Sequence, residues 1–217
     1  MKLVLHNYWR SSASTRVRIG LAIKGLPYEY VAVNILAGSQ HAEAYRANNP
    51  MGQVPTLEIT EDDGARFALT QSLAILEYVD ERWPDPPLLP RDRGLRARAR
   101  ALAELVNAGI QPLHNTGVLR RIKKLGADEQ AWARQSITDG LAALAKLVAQ
   151  TAGAFCVGDS PTIADCCLVP QLFAARRVGV DLAVPALAQL LEIEARCIAM
   201  PAIAAALPEH QPDAVKS

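Results

Sequence analysis

No apolar run in this sequence reaches the roughly 18 residues expected of a membrane span. Its start, MKLVLHNYW, lacks both a long apolar stretch and a small-residue cleavage site, so no signal peptide is expected. Net charge is also scarce. The formal balance is +1, which excludes a global field for nucleic acid or an anionic membrane. Cysteine is limited to Cys156, Cys166, Cys167 and Cys197, with no CxxC pair, which suits neither a disulfide framework nor a zinc site. These cysteines sit in apolar surroundings and are expected to be buried small residues of a reduced, cytoplasmic protein. There is no GxSxG, and no His and Asp in a supporting context, so a serine-hydrolase triad is excluded.

What is present is enough chain, 217 residues with half of them hydrophobic, for one large domain or two small ones. LVLHNYW reads as a strand. SASTRVRIGLAIKG reads as a basic amphipathic helix with Val17, Leu21 and either Ile23 or Lys24 on its buried side and Gly25 as its stop. PYEYVAVNI is strand-like and SQHAEAYRANN a short polar helix. PTLEITEDDGARFALT is a hairpin turning at Asp62-Asp63-Gly64. SLAILEYVDERW is an amphipathic helix with Leu73, Leu76, Val79 and Trp83 along one side. The order is βαβαββα over residues 1–83, a parallel βαβ unit with an antiparallel hairpin at its edge.

PDPPLLPRD, residues 84–92, holds four prolines in nine residues and reads as an extended linker. Beyond it only helical patterns follow: Gly94 to about Leu125, Asp128 to Gln150, Pro161 to about Val178, and Pro185 to about Ala206. Residues 93–217 are therefore expected to form an all-α domain. Thr162, three residues before Asp165, is a variant capping box.

Three short stretches could carry chemistry. YWRSSAST places Arg10, Ser11 and Ser12 where a strand hands over to a helix. A serine hydroxyl there can donate to an anion with help from the helix dipole, or simply cap the helix. In NPMGQVPTLEI, Pro55 opens a strand after Val54. A cis bond at this point would leave an edge for a peptide-like ligand, although on local sequence a plain trans proline at an edge strand is the simpler reading. In LTQSLAILEY, Gln71 and Ser72 precede a helix. Ser72 is a cap candidate, and the helix start is a carboxylate site.

Taken together, these stretches resemble the glutathione transferases. RSSASTRVRIGLAIKGLPYEY resembles the zeta-class signature, S-S-C followed by x-x-R-V-R-I, and ANNPMGQVPTLEI, LTQSLAILEYVDE, GIQPLHNTGVL and ADCCLVPQLFAARRVGVDL resemble that class too. The resemblance runs in order from Lys2 to Leu182. It implies a thioredoxin-like N-terminal α/β domain, an all-α C-terminal domain, a homodimer, and glutathione as cofactor. One position departs from the pattern: Ala13 stands where the class has Cys, so that Cys cannot be required here.

The activity implied is cis–trans isomerisation of an acidic diketo substrate by reversible thiolate addition, rotation and elimination. Maleylacetoacetate in tyrosine and phenylalanine breakdown is the expected substrate, and maleylpyruvate in aromatic-acid degradation the near alternative. Gln111, rather than His, at its helix position favours the former. A general transferase or dehalogenase of α-halo acids, and a non-catalytic glutathione-binding module, are the other readings. The site implied has Ser11, with Ser12 nearby, at the thiolate; Gln71 and Ser72 at the γ-glutamyl carboxylate; and Val54 and cis-Pro55 at the cysteinyl backbone. Gln40 and Gln53, with His41, face the glycyl end, and Gln111 and Asn115 come from the helical domain. Arg10 and Arg177 are the candidates to face the substrate carboxylates, since guanidinium binds carboxylates in a bidentate way, and Arg176 is the adjacent alternative, only one of the two consecutive residues facing the site. His114 is a weak catalytic candidate. Trp9, Trp83 and Trp132 are expected to pack.

Overall fold

A computed structural model describes residues 1–215. The chain divides into two compact units, Met1–Leu88 together with the chain from Pro201 on, and Leu89–Met200.

In the first unit, β1 (Lys2–Asn7), α1 (Ser12–Ile23) and β2 (Glu29–Ala32) form the expected parallel βαβ unit. A short helix α2 (Glu43–Asn48), the hairpin β3 (Thr56–Thr60) and β4 (Arg66–Thr70), and α3 (Ser72–Arg82) follow. The sheet order is β2-β1-β3-β4, with β3 antiparallel to both of its neighbours. Leu3 and Leu5 of β1, Leu57 and Ile59 of β3, Val17 and Leu21 of α1, and Ile75 and Val79 of α3 make one apolar cluster. Alternation on the strands and helical spacing on α1 and α3 bring these side chains to one face of the sheet. Leu73, Leu76 and Val79 are all buried along α3, as their spacing requires.

Helix α1 departs from the amphipathic expectation. Its residues from Ser14 to Leu21 are all buried, Arg16 and Arg18 included, so the arginines of RVRI lie in the interior rather than on a solvated face. Gly25, at φ +63°, ends the helix as expected.

The expected helical domain ran to residue 217. The chain from Pro201 instead returns to the first unit, where α9 (Pro201–Ala205) packs on α1. The reason is polar. The buried Arg18 guanidinium donates from Nε to Ala206 O at 3.0 Å, and only this returning segment supplies that acceptor.

The second unit is helical: α4 (Arg93–Glu104), α5 (Thr116–Lys124), α6 (Glu129–Val148), α7 (Ile163–Arg177) and α8 (Ala188–Ile198). Asp92 and Asp128 cap α4 and α6, accepting from Leu95 N and from Gln130 N and Ala131 N. The Thr162–Asp165 capping box is formed, and Asp165 also accepts from Cys156 N at 2.9 Å. Burial pushes the Asp165 pKa up while these hydrogen bonds act against it.

The single helix expected from Gly94 to Leu125 is broken. A π-helical turn at Leu105–Ile110 and a 3₁₀ turn at Gln111–His114 separate α4 from α5. Pro112 has no N–H for an α-helical ladder, and its ring opposes continuation. Such breaks gather at functional positions, and this one carries Gln111 and Asn115.

One ion pair is sealed inside the first unit. Lys24 Nζ, fully buried at the C-terminal end of α1, lies 2.6 Å from Asp80 Oδ1 and 2.5 Å from Trp83 O, and Leu88 N donates to the same Asp80 oxygen at 2.6 Å. Removing one member of such a pair strands the other without compensation. Asp80→Ala is therefore expected to lower stability by about 3–5 kcal/mol, read as a fall in the urea midpoint. An Asp80→Ala protein with the wild-type midpoint would show that the pair contributes nothing.

Candidate functional site

The site follows from strand register. Thr56 of β3 pairs with His6 of β1 and with Thr70 of β4. The end of β1, the start of β3 and the end of β4 therefore lie at one edge of the sheet, and β2, parallel to β1, ends there too. The residues just beyond those ends are the turn at Tyr8–Ser11, Val54–Pro55, Gln71, and the loop carrying Gln40. Sequence positions far apart meet because four strands end together, the usual location of ligand sites in open α/β sheets.

Ser11 is the N-cap of α1, and its Oγ accepts from Ser14 N at 3.2 Å. A hydroxyl carries one donor beside its lone pairs, so capping leaves the Ser11 proton free to point at an anion. Capping and anion donation are thus compatible at this residue. Ser12 is the first helical residue and Ala13 the second, both partly exposed. Arg10 lies over the Trp9 ring, 5.5 Å from its centroid, a cation–π contact that limits the wandering of its side chain.

At α3 the expected cap is displaced by one residue. Gln71, not Ser72, is the N-cap, and Gln71 holds φ +70° and ψ 113°, the only positive φ at a non-glycine among the described residues. Such a conformation costs on the order of 1–3 kcal/mol and survives only where the surroundings impose it. Here Gln71 O accepts from Ile75 N at 3.0 Å, and Ser72 Oγ accepts from the buried Arg16 Nη1 at 3.2 Å. The start of α3 presents its N–H groups with a guanidinium directly behind them, an environment suited to a carboxylate.

The Val54–Pro55 peptide is cis, where the local reading favoured trans; tertiary context selects the isomer. Gln53 O accepts from Tyr45 Oη at 2.6 Å and Asn49 Nδ2 at 2.7 Å, which fixes the approach to that bond. Gly52, at φ +60°, is where the Gln40 loop closes in. A Cβ there would meet Gln40 O and His41 Nδ1, each at 3.0 Å. Gln40 itself is buried. Its Nε2 donates to Ile35 O at 3.3 Å, while its Oε1 has no hydrogen-bond partner among the described residues. A buried acceptor without a partner is rare, and Gln40 Oε1 is suited to a ligand's N–H, such as a peptide group of glutathione offers.

In the second unit, Gln111 Nε2 donates to Asn115 Oδ1 at 3.1 Å, so the two expected residues form a pair across the 3₁₀ turn. His114 is buried, 3.3 Å from Gln171 Oε1. Of the two consecutive arginines that end α7, the first has a defined partner. Arg176 makes a two-pronged pair with Glu194 of α8 and is committed to it. Arg177 ends α7. All four cysteines are buried in this unit, and burial pushes the thiols of Cys156, Cys166 and Cys197 up. None of these three is poised as a thiolate.

Comparison with known proteins agrees with this geometry. The N-terminal and C-terminal domain families of glutathione S-transferase match residues 1–81 and 62–205. The chain belongs to the glutathione S-transferase family. It is 44% identical to the maleylacetoacetate isomerase of Rattus norvegicus over 98% of this chain and 95% of that one. Among solved structures, it is 52% identical, at a TM-score of 0.90, to maleylacetoacetate isomerase from Anaeromyxobacter dehalogenans with glutathione bound in the active site, over 99% and 98% of the two chains. It is 40% identical, also at 0.90, to a bacterial zeta-class maleylpyruvate isomerase, over 98% and 100%. As a glutathione transferase of the zeta class, the protein has the expected α/β domain and helical domain.

Two residues at the turn before Ser11, Arg18 and Asp213, are not among those the sequence points to. The sequence signal for Arg18 was its place between Val17 and Ile19, two core positions.

Arg176→Ala is expected to leave the nearly buried Glu194 carboxylate without its partner and to lower the thermal midpoint, by about 1–3 kcal/mol of stability. An Arg176→Ala protein that keeps the wild-type midpoint would show that the pair with Glu194 contributes nothing.

Proposed function

We propose that this protein is a glutathione-dependent cis–trans isomerase that converts maleylacetoacetate to fumarylacetoacetate in tyrosine and phenylalanine catabolism. The observation that carries the reading is the meeting of Ser11, Val54–Pro55 and Gln71–Ser72 at one sheet edge, in a chain related along nearly its whole length to maleylacetoacetate isomerases. When bound, glutathione supplies a thiolate that can add to a conjugated alkene and leave again after rotation.

The residues then have separate tasks. Ser11 donates a hydrogen bond from its hydroxyl to the thiolate sulfur, and the start of α1, with the N–H groups at Ser12 and Ala13, adds positive potential. This lowers the thiol pKa without the class cysteine, whose place Ala13 takes. Gln71, Ser72 and the start of α3 hold the γ-glutamyl carboxylate. Val54, followed by Pro55, offers its peptide to the cysteinyl backbone. Gln40 and Gln53 hold the glycyl end, and Gln111 and Asn115 complete the glutathione contacts. Arg10 and Arg177 pair with the substrate carboxylates and stabilise charge that develops on the diketo system. A cytoplasmic homodimer is part of the same proposal.

The maleylpyruvate reading is favoured by one observation, the 0.90 TM-score to a maleylpyruvate isomerase. The deciding experiment compares maleylacetoacetate and maleylpyruvate, with and without glutathione, for wild type and Ser11→Ala. Glutathione-dependent turnover, faster on maleylacetoacetate, with a loss of kcat of about 10²-fold or more in Ser11→Ala, is expected. Turnover that survives Ser11→Ala moves the thiolate contact to Ser12 or the helix N–H groups. Consumption of glutathione or release of halide from α-halo acids, without isomerisation, would replace the isomerase reading by a transferase. Binding of glutathione without any turnover would reduce the protein to a binding module.

A further inference from the structure

Trp9 and Arg10 are the central residues of a turn closed by Ser11 N, which donates to Tyr8 O at 3.0 Å. Whatever holds this turn sets where Arg10 and Ser11 stand. It is held by opposite charges on its two kinds of backbone group. Arg18 takes the carbonyls, donating from Nη1 to Tyr8 O at 3.4 Å and from Nη2 to Trp9 O at 2.8 Å. Asp213 takes the donor: Trp9 N donates to Asp213 Oδ2 at 3.1 Å. The other Asp213 oxygen accepts from Tyr30 Oη, on β2. A carboxylate more than two hundred residues away in sequence thereby fastens the turn in front of Ser11 to the sheet.

Asp213 is not needed to hold the returning segment itself. That segment is already tied by Arg18 Nε on Ala206 O at 3.0 Å, and by Gln211 Nε2 on Ala205 O at 2.9 Å and Leu207 O at 2.7 Å. It also packs against α1 through α9. Asp213 lies beyond all these ties and is partly exposed, so its two contacts serve the turn and β2 rather than the closure of the chain.

We propose that Asp213 is a positioning residue for the reaction: by accepting the Trp9 N–H it holds the Tyr8–Ser11 turn so that Ser11 faces the thiolate. This rests on the reading of Ser11 as the thiolate's donor. The role is geometric, so an acceptor of the same shape without charge serves it. Asp213→Asn retains an oxygen for Trp9 N, whereas Asp213→Ala does not.

The test follows wild type, Asp213→Ala and Asp213→Asn by three measurements. These are amide hydrogen exchange of the free protein, the pKa of bound glutathione's thiol from thiolate absorbance, and steady-state kinetics with maleylacetoacetate. In wild type the Trp9 amide exchanges slowly. In Asp213→Ala, Trp9 and Ser11 lose about tenfold or more of their protection while β1 and α3 keep theirs. The bound thiol's pKa rises by roughly one unit. The kcat falls on the order of tenfold with KM little changed, as expected when a catalytic group is misplaced rather than removed. Asp213→Asn restores most of all three. A fast Trp9 amide in wild type overturns the proposal without any variant. So does an Asp213→Ala protein that keeps the turn's protection and the thiol pKa, or one that loses protection uniformly over β1 and α3. If wild type leaves bound glutathione's thiol at its free pKa, the reading of Ser11 fails instead, and the Trp9 exchange still decides whether Asp213 holds the turn.

Discussion

The interaction on which the first unit depends is the buried guanidinium of Arg18. It is fully buried, and burial pulls its pKa down against the opposing influence of Tyr30, Tyr28 and Asp213. A guanidinium has five N–H donors and no acceptor, and here each side of the fork is matched. Besides Ala206 O, Tyr8 O and Trp9 O, it reaches Asn7 Oδ1 and Thr15 Oγ1, each at 2.8 Å. One cation thus ties the end of β1, the turn after it, helix α1 and the returning C-terminal segment. A buried charge is tolerated only when its hydrogen bonds are complete. The acceptors therefore have to come to Arg18, and they bring the turn in front of Ser11 with them.

A second constraint acts at α3. Gln71 holds a backbone conformation that its side chain disfavours, and Arg16 reaches Ser72 just behind it. Two arginines two residues apart on α1 therefore serve the two halves of the candidate glutathione site, one at the Ser11 turn and one at the start of α3. This is why the helix is buried on nearly all sides and why its arginines point inward.

The second unit uses the same logic more sparingly. Its buried polar groups are paired within the unit: Asp165 with Thr162 and Cys156, His114 with Gln171, and Glu194 with Arg176. The π and 3₁₀ turns between α4 and α5 interrupt a helix that would otherwise run through, and place Gln111 against Asn115.

Much was legible in the sequence because it depends on local rules. Periods of two and 3.6 marked β1 to α3 in order, Asp-Asp-Gly marked the hairpin turn, Thr162 with Asp165 marked the start of α7, and Gly25 marked the end of α1. The order of motifs from Ser11 to Arg177 carried the family resemblance. What only the tertiary structure decided involves partners distant in the chain. These are the burial of Arg16 and Arg18, the isomer at Pro55, the conformation of Gln71, the commitment of Arg176 to Glu194, and the return of the segment beyond Pro201. A charged residue reads as solvated until its acceptors are known, and those of Arg18 come from residues 7, 8, 9, 15 and 206. Local pattern determines which elements form. Satisfying buried charge determines how they meet, and that is a property of the folded chain as a whole.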